Sequence, residues 1–350
     1  MKKKTNKRPT AVDLFSGCGG LTLGLKQAGF DVVGAVEIDS LAVETYSSNH
    51  PEVKVWHKDI RKLNGSEIQK ILKLKKGELD LLAGCPPCQG FSSIRTHNGK
   101  NTIRDDRNDL VFDYLRLVQE LRPKAVMMEN VPALTENRRM KSLEKELKRM
   151  GYESNGTPLV LNTADYGVPQ RRRRMILVSS RVGKVDLPEA SKKRSTVRQV
   201  IGTMPRPGKT GDPLHDFRES RTSHTMEMIR LIPKDGGSRT DLPLKYHLPC
   251  HKKMPGGFKD VYGRMSWDEV SPTITGGCIS PSKGRFLHPS QNRAITLREA
   301  ALLQTFPKNY RFSLESGRQG VALMIGNALP PMFIKKHALA IKKVLDVASH

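Results

Sequence analysis

The chain has 350 residues and a mass of 39.1 kDa, enough for one large folded domain or for that domain with a smaller one. Hydrophobic residues make up 37% of it and charged residues 27%, a composition that excludes a mainly disordered protein. Lys and Arg number 60 against 35 Asp and Glu, and the resulting formal charge of +25 indicates a polyanionic partner.

The apolar segments exclude a membrane protein. No apolar stretch reaches the length of a membrane span, and the basic residues 1–9 are not followed by the apolar region of a secretory signal. We therefore expect a soluble, cytoplasmic protein with no membrane partner. In that compartment the five cysteines normally stay reduced.

Residues 10–180 alternate short apolar runs with stretches of helical periodicity. Strands are predicted, in chain order, for AVDLF, VVGAVEID, VKVWHKDI, LDLLAGC, KAVMMENV and RMILVSS. This alternation predicts an α/β fold with a mainly parallel, doubly wound sheet. Ligands of such sheets bind beyond the carboxyl ends of the strands, so the site is expected in the loops that follow them.

The sequence changes character after residue 181, where Pro, Gly and basic residues are scattered without steady periodicity. Short strands are predicted for SPTITGG and GRFLHP in this loop-rich region. Thr296 and Glu299 have the spacing of a capping box at the start of a helix. A last amphipathic helix begins near Pro330 and Pro331 and is expected to pack back onto the first domain.

The first predicted strand runs into the glycine-rich segment FSGCGG at 15–20, which opens a helix. Such a turn brings backbone N–H groups and the positive end of a helix close to a ligand. Its spacing departs from GxGxxG and gives a dinucleotide little support. Glu37, at the end of the next strand, can bind two ribose hydroxyls, so the pair favours a cofactor that contains a nucleoside.

The segment GCPPCQGFS at 84–92 follows the fourth predicted strand and allows several interpretations. A redox pair would be expected after the first strand of a thioredoxin-like unit, and zinc would need further ligands at finger-like spacing. A purely structural pair also stays open. The position favours Cys88 alone as a nucleophile, since a thiol beyond a strand end near a helix start can be activated as a thiolate. Cys85 is then a neighbour that serine or glycine can replace, and no metal is expected.

Two further polar sets lie at ends of the same predicted sheet. Glu129 of ENVPAL follows the strand KAVMM on the edge that carries Cys88, where a carboxyl group can hydrogen-bond or protonate a substrate. QRRRR at 170–174 runs into the last predicted strand, in which Arg172 and Arg174 share one side. Their planar donors suit a phosphate, a carboxylate or a base carbonyl. A solvated strand end and a solvated basic face are the structural alternatives.

Taken together, the motifs resemble those of the cytosine-specific DNA methyltransferases of bacterial restriction-modification systems, which modify carbon 5 of the ring. Nearly the whole chain is covered in family order by DLFSGCGG, VEID, KDI, GCPPCQGFS, ENVPAL, QRRRR, RAITLREAALLQTFP and GNALPP. The resemblance implies a Rossmann-like, S-adenosylmethionine-dependent methyltransferase fold with a smaller target-recognition domain. It implies a basic tail at 1–9, a catalytic and cofactor-binding domain at 10–185, a recognition domain at 186–290, a hinge and supporting helix at 291–325, and a C-terminal segment at 326–350 that returns to the large domain.

By the same resemblance, the reaction moves a methyl group from S-adenosylmethionine to carbon 5 of a cytosine that has been flipped out of duplex DNA. The Cys88 thiolate adds to carbon 6, and the ring becomes a nucleophile at carbon 5. Glu129 binds the exocyclic amine and ring nitrogen 3. Arg174, with Arg172 near it, holds the carbonyl and offsets charge that builds up on the ring. No metal is required.

Further residues are assigned to the cofactor and to DNA. The predicted S-adenosylmethionine contacts are Phe15, Ser16, Gly17, Cys18, Gly19, Gly20, Leu21, Glu37, Ile38, Asp59, Ile60, Pro87, Asn327 and Ala328. The candidate DNA contacts are Gln89, Ser92, Arg173, Arg218, Arg230 and Arg239. Arg side chains at base edges favour guanine, but nothing in the sequence ranks these arginines or gives the recognition site.

The expected partners are double-stranded DNA and a restriction endonuclease that is paired in function without a stable complex. A monomer is expected. A transfer RNA methyltransferase with the same catalytic blocks is one alternative, against which the basic insert before RAITLREA favours duplex DNA. A DNA-binding homologue without catalysis is another, against which stand Cys88, Glu129 and Arg174, all present in the sequence.

Overall fold

The computed structural model describes residues 8–87, 109–154, 156–217, 220–249, 252 and 260–348. The chain divides into two compact units. The first, here called the sheet unit, contains Met1–Thr163, Arg173–Ala190 and Leu329–His350. The second, the loop unit, contains Ala164–Arg172 and Ser191–Ala328.

The sheet unit is built on a sheet that has seven strands in the described residues. They are β1 (Thr10–Leu14), β2 (Asp31–Glu37), β3 (Lys54–His57), β4 (Leu81–Gly84), β5 (Ala125–Asn130), β6 (Leu159–Asn162) and β7 (Arg173–Ser180). Their spatial order is β3-β2-β1-β4-β5-β7-β6. Strands β1 to β5 are parallel, whereas β7 is antiparallel to both β5 and β6. The predicted α/β fold with a mainly parallel sheet is confirmed.

The helices are numbered in chain order, and α6 to α9 belong to the loop unit. They are α1 (Gly20–Gln27), α2 (Ser40–Asn49), α3 (Gly65–Leu72), α4 (Leu110–Leu121), α5 (Arg138–Arg149), α6 (Val197–Ile201), α7 (Ser223–Leu231), α8 (Leu297–Leu303), α9 (Gly317–Asn327) and α10 (Pro331–Ala348). The predicted capping box is present at the start of α8, where the Thr296 side chain accepts from the N–H of Glu299.

Helices cover both faces of the sheet. Val12 and Leu14 of β1 pack into one apolar cluster with Tyr114 of α4 and Leu143 of α5. Asp13 points to the opposite face, because side chains alternate along a strand, and its Oδ2 accepts a hydrogen bond of 2.6 Å from Thr22 of α1. The central strands β1, β4 and β5 are buried along their whole length, as continuous apolar strands in a covered parallel sheet should be.

The last helix packs closely against the first. α10 begins at Pro331, as the sequence predicts, and buries Ile334, Ala338, Ile341 and Leu345 on one face. A Cβ placed on Gly24 of α1 would lie 2.6 Å from Ile334 Cβ and 2.6 Å from the Pro331 carbonyl oxygen. The absence of a side chain at Gly24 therefore lets the two helices approach.

The loop unit is held together by side chains that bind backbone carbonyls. Arg264 is fully buried, and its guanidinium donates to the carbonyl oxygens of Ile229, Ile232, His288 and Gln291 at 2.6–3.1 Å. Two of these carbonyls lie at the C-terminal end of α7, where a cation is favoured by the helix dipole. Burial lowers the pKa of Arg264 to about 10, which still leaves the group charged at neutral pH.

The strands predicted for SPTITGG and GRFLHP are wrong. These segments make only isolated bridges within the described residues, at Ser271 and at Leu287. Pro272 has no N–H to continue a ladder, and the backbone N–H of Ile274 donates instead to the side chain of Gln170 at 2.8 Å. Side-chain contacts thus replace the strand pairing that the composition suggests.

The described residues contain neither a membrane-spanning helix nor a cluster of metal ligands. None of the helices there combines the length and the apolar character of a membrane span. Nor do three potential metal ligands lie together in that part of the chain, which leaves out Cys250 and His251.

Candidate active site

The strand order has a switch point at the carboxyl ends of β1 and β4. The chain runs outward from β1 to β2 and β3 on one side, and continues at β4 and β5 on the other. Such a switch point opens a crevice between the two loops that follow the central strands. In this chain those loops are FSGCGG after β1 and GCPP after β4.

The loop after β1 has the backbone of a ligand cradle. Phe15, Gly17 and Gly19 all have positive φ, at 60°, 52° and 92°, and Gly19 is the N-cap of α1. A positive φ is uncommon for a bulky residue such as Phe15, and such conformations cluster at binding sites. Burial raises the pKa of Cys18 to about 12, so its thiol stays protonated and is not a nucleophile.

Glu37 at the end of β2 ties this loop to the next strand. Its Oε2 accepts from the N–H of Gly17 at 2.7 Å, and its Oε1 accepts from the N–H groups of Ile38 and Asp39 at 2.8 and 2.9 Å. Since a carboxylate has about four acceptor positions, it can still take a ligand hydroxyl. Ile38 beside it is 62% exposed, which offers an apolar surface next to the acid.

The third loop of this edge, after β3, carries Asp59 and Ile60. Asp59 caps a short 3₁₀ helix by accepting from the N–H of Arg61 at 3.0 Å. The Arg61 guanidinium also donates to both carboxylate oxygens of Asp59 at 2.6–3.0 Å and lowers the pKa of that group. Ile60 is buried.

Glu129 lies at the centre of a polar cluster on the same edge. It is the second-last residue of β5 and is 2% exposed. Its Oε1 is 2.9 Å from Nε of Arg174, near the start of the antiparallel strand β7. Its Oε2 accepts a hydrogen bond of 3.0 Å from Sγ of Cys85, the first residue after β4. The structure therefore brings together the predicted acid Glu129 and the predicted Arg174. It adds the thiol of Cys85, for which the sequence predicts no role.

The next residue, Asn130, holds the same loop. Its amide Nδ2 donates to the carbonyl oxygen of Pro86 at 2.8 Å, and the side chain is 3% exposed. The two last residues of β5 thus contact two successive residues of the GCPP segment. Pro87 is half-buried, whereas Cys88, Gln89 and Ser92 lie outside the described residues.

Arg172 does not lie in the strand that contains Arg174. β7 begins at Arg173, and the strand alternation that pairs the two arginines therefore does not apply. Arg172 belongs to the loop unit, is 3% exposed, and donates to the carbonyl oxygens of Ile274 and Gly326 at 2.9 and 3.0 Å. Arg172 therefore links two segments of the loop unit through their backbone carbonyls.

The remaining predicted residues fall into three groups. Asn327 is exposed and Ala328 half-buried at the end of α9, in the loop unit. Arg173 and Arg230 are exposed, as a DNA contact requires. Arg239 is 3% exposed, so we do not propose it as a DNA contact, and Arg218 lies outside the described residues.

Comparison with known proteins decides the family. Residues 10–343 match the family model described as C-5 cytosine-specific DNA methylase. The chain belongs to that family. The match spans every motif on which the resemblance rests, from DLFSGCGG to GNALPP.

Curated relatives cover the methylase over nearly its full length. The Type II methylase M.HgiDII of Herpetosiphon aurantiacus is 34% identical over 348 residues, which cover 96% of this chain and 95% of the relative. The Type II methyltransferase M.XorII of Xanthomonas oryzae is 33% identical over 97% of this chain and 85% of its own. The chain also resembles the crystal structure of a protein described as a prophage-encoded DNA modification methyltransferase of E. coli. The two share 26% sequence identity and superpose with a TM-score of 0.68, over 97% of this chain and 99% of that one.

Sequence reasoning misses three contacts of the methylase, two in the site and one in the loop unit. The contact of Cys85 with Glu129 joins residues 44 positions apart, and no local pattern announces it. Asn130 has a signal, since an amide directly after the candidate acid at a strand end is placed to bind a neighbouring loop. Gln304, whose side-chain oxygen accepts from Gln170 at 2.8 Å inside the loop unit, has none.

Proposed function

We propose that this methylase transfers a methyl group from S-adenosylmethionine to carbon 5 of a flipped cytosine in a specific duplex DNA site. The sheet unit would bind the cofactor and carry out the chemistry, and the loop unit would recognise the target. The single observation that carries the proposal is the buried Glu129, held by Arg174 on one oxygen, at the edge where GCPPCQGFS begins.

The cluster has the donors and acceptors that a cytosine edge requires. One oxygen of Glu129 accepts from the exocyclic amine, the other donates to ring nitrogen 3 when it carries a proton, and Arg174 donates to the ring carbonyl. A carboxylate and a guanidinium that are already fixed against each other lose little conformational freedom when the base enters. Charge that develops on the ring is offset by Arg174, which is 16% exposed and therefore poorly screened by water.

Cys88 is the proposed nucleophile. Its thiolate adds to carbon 6 of the base, and the ring then becomes nucleophilic at carbon 5. After methyl transfer, loss of the carbon 5 proton expels the thiolate and restores the aromatic ring. Arg172 is a positioning residue in this proposal, because its guanidinium binds backbone carbonyls of the loop unit.

The loops after β1 and β2 fit S-adenosylmethionine. Ser16 Oγ is buried and has no hydrogen-bond partner among the described residues, and a Cβ on Gly17 would meet none of their atoms within 4 Å. Glu37 would hold the ribose hydroxyls and exposed Ile38 the face of the adenine, with Asp59 and Ile60 at its edge. When bound, the cofactor would supply the methyl group as an electrophilic sulfonium, and S-adenosylhomocysteine would be the product that leaves.

The rest of the predicted cofactor set completes the proposal. The backbone from Phe15 to Leu21 would surround the methionine part, and Pro87 would form a wall. Asn327 and Ala328 are proposed as further contacts. Cys18 contributes only through its backbone and its buried side chain.

On the biological side, we propose a methylase of a restriction-modification system, as the names of the Type II relatives suggest. It would act as a monomer in the cytoplasm and protect DNA from an endonuclease with which it forms no stable complex. Exposed Arg173 and Arg230 are the proposed DNA contacts of the described residues, and Gln89, Ser92 and Arg218 those outside them. Base flipping costs on the order of a few kcal/mol, which phosphate contacts by the basic chain would offset.

The substrate class is tested with labelled S-adenosylmethionine offered together with duplex DNA or with transfer RNA. We expect label on DNA, in cytosine that digestion identifies as 5-methylcytosine. Label confined to RNA would favour the RNA methyltransferase and overturn the proposal.

The nucleophile is tested by Cys88→Ser, with Cys278→Ser as the matched control. Burial raises the pKa of Cys278 to about 12, so this thiol cannot replace the nucleophile. We expect Cys88→Ser to abolish methyl transfer and to retain DNA binding in a mobility-shift assay, while the control keeps both. Full activity in Cys88→Ser would contradict the assignment.

A further inference from the structure

The first cysteine of GCPPCQ is fixed in place by the sheet. Cys85 directly follows β4, and its backbone N–H donates to the carbonyl oxygen of Leu14 at 3.3 Å, which continues the ladder with β1. The side chain is half-buried, and its Sγ lies 3.0 Å from Glu129 Oε2. This thiol therefore has a defined position relative to the acid that is proposed to bind the base.

The two oxygens of Glu129 contact different groups. Oε1 lies 2.9 Å from the Arg174 guanidinium and Oε2 lies 3.0 Å from the Cys85 thiol. An ion pair on one oxygen and an S–H donor on the other restrain the plane of the carboxylate, because rotation about the terminal torsion would break one of the two contacts. Each oxygen keeps an acceptor position for a ligand, since an ionised carboxylate offers about four.

We propose that Cys85 is a positioning residue for Glu129. Its S–H donates to Oε2, and together with Arg174 it orients the carboxylate toward the amine and ring nitrogen of the flipped cytosine. The inference rests on the proposed function of Glu129. It also separates the two cysteines of GCPPCQ by role, because Cys85 acts as a proton donor in a hydrogen bond and never as a nucleophile.

The contact of Asn130 with Pro86 makes the role of Cys85 testable. Because the Asn130 amide holds the GCPP segment at the next residue, removal of the thiol should leave the loop in place. What changes is the orientation and solvation of Glu129. The sequence alone predicts that serine or glycine can replace Cys85. The contact with Glu129 changes this expectation for glycine, which has no donor, whereas serine keeps one.

Two pairs of substitutions separate hydrogen bonding from packing. Cys85→Ser and Cys85→Ala are similar in size, as are Cys85→Thr and Cys85→Val, and in each pair the first variant retains a donor while the second has none. We expect the donor variants to methylate duplex DNA within about threefold of the parent in single-turnover experiments. The two variants without a donor should lose about tenfold, the effect of one hydrogen bond to a charged group.

The pH dependence supplies a readout that packing would not move. A hydrogen bond to the ionised carboxylate stabilises that form, so its loss should raise the pKa of Glu129 and move to higher pH the limb of the single-turnover pH–rate profile that reports this group. The shift should occur in Cys85→Ala and Cys85→Val and be absent in Cys85→Ser and Cys85→Thr. The dissociation constant for DNA should stay within about twofold in all four, because the rest of the interface is unchanged.

The outcomes separate this inference from the proposed function. If the parent methylates DNA and the four variants rank by side-chain size, or do not differ, the positioning role is wrong. If the parent methylates no duplex DNA, the proposed function fails instead. Should Cys85→Ala fail to fold, the Thr and Val pair alone decides, since these two side chains differ only by a hydroxyl and a methyl group.

Discussion

Glu37 offers a direct test of how the cofactor loop is built. Its carboxylate accepts three backbone N–H groups, from Gly17 on one oxygen and from Ile38 and Asp39 on the other. The substitution Glu37→Gln keeps the size of the side chain but replaces one oxygen by an NH₂ group. Whichever way the amide turns, at least one backbone N–H then faces a donor.

The magnitude follows from the contacts. A hydrogen bond to a charged acceptor is worth about 1.5–3 kcal/mol, and the amide also removes an acceptor proposed for the ribose hydroxyls. Loss of one hydrogen bond from a ribose hydroxyl to this carboxylate corresponds to about 10- to 100-fold in the dissociation constant of the cofactor. We therefore expect Glu37→Gln to weaken S-adenosylmethionine binding by at least tenfold.

Isothermal titration calorimetry with S-adenosylmethionine measures this effect, and Glu44→Gln is the control. Glu44 is exposed on α2, so the same chemical change there should alter the dissociation constant by less than about twofold. A Glu37→Gln variant that binds as tightly as the control would refute the assignment of this loop to the cofactor. A variant that binds no cofactor and is also unfolded by circular dichroism would place the role of Glu37 in folding.

Three further predictions concern stability. Gly24→Ala should lower the free energy of unfolding by about 1–3 kcal/mol in urea, although this change usually stabilises a helix, because the new Cβ would lie 2.6 Å from Ile334 Cβ; an increase would contradict the packing of α1 on α10. Burial raises the pKa of Asp13 from 3.8 to about 7, so the folded protein retains a proton that the unfolded chain releases, and stability should fall between about pH 4 and pH 7 by at most about 4 kcal/mol. Asp13→Asn should remove that part of the pH dependence. If the free energy of unfolding in urea depends on pH in the same way in the parent and in Asp13→Asn, the prediction is wrong. Arg264→Met should cost more than about 3 kcal/mol by leaving several carbonyls unpaired, and hydrogen exchange should locate the effect in the loop unit; uniform exchange would contradict this.

Much of the sheet unit could be predicted from the sequence, because its strands are continuous apolar runs bounded by turn residues. β6 is the exception. Its side chains are exposed or half-buried, and it pairs only with β7 among the described residues, so the apolar signal of a central strand is missing. The direction of β7 also escapes local patterns, since antiparallel pairing with β5 is decided by how the chain returns through β6.

The loop unit could be predicted only as a loop-rich region. Its order comes from buried side chains that bind backbone groups over long sequence separations, such as Arg264 with Ile229 and Arg172 with Ile274. No local sequence pattern distinguishes an arginine that is fully buried among carbonyls from one on the surface. For the same reason Arg239 is a plausible DNA contact in the sequence and a buried residue in the structure.

The site was predictable where strand ends decide it. Glu129 and Arg174 were expected on one sheet edge, and the structure places Nε of Arg174 2.9 Å from Oε1 of Glu129. The third member, Cys85, depends on register between β4 and β5, where Gly84 pairs with Met128 and the next residues therefore meet. Register of this kind is fixed by the whole sheet and not by nine residues of sequence.

Cytosine C-5 methylation through the Glu129 cluster is tested by bisulfite sequencing of DNA from cells that express the chain, with Glu129→Gln expressed in parallel. We predict protected cytosines at one short sequence context throughout the DNA, and their loss in the variant. DNA without protected cytosines in the parent, or the same methylation pattern with Glu129→Gln, would contradict the assignment of a cytosine C-5 methylase that works through this cluster.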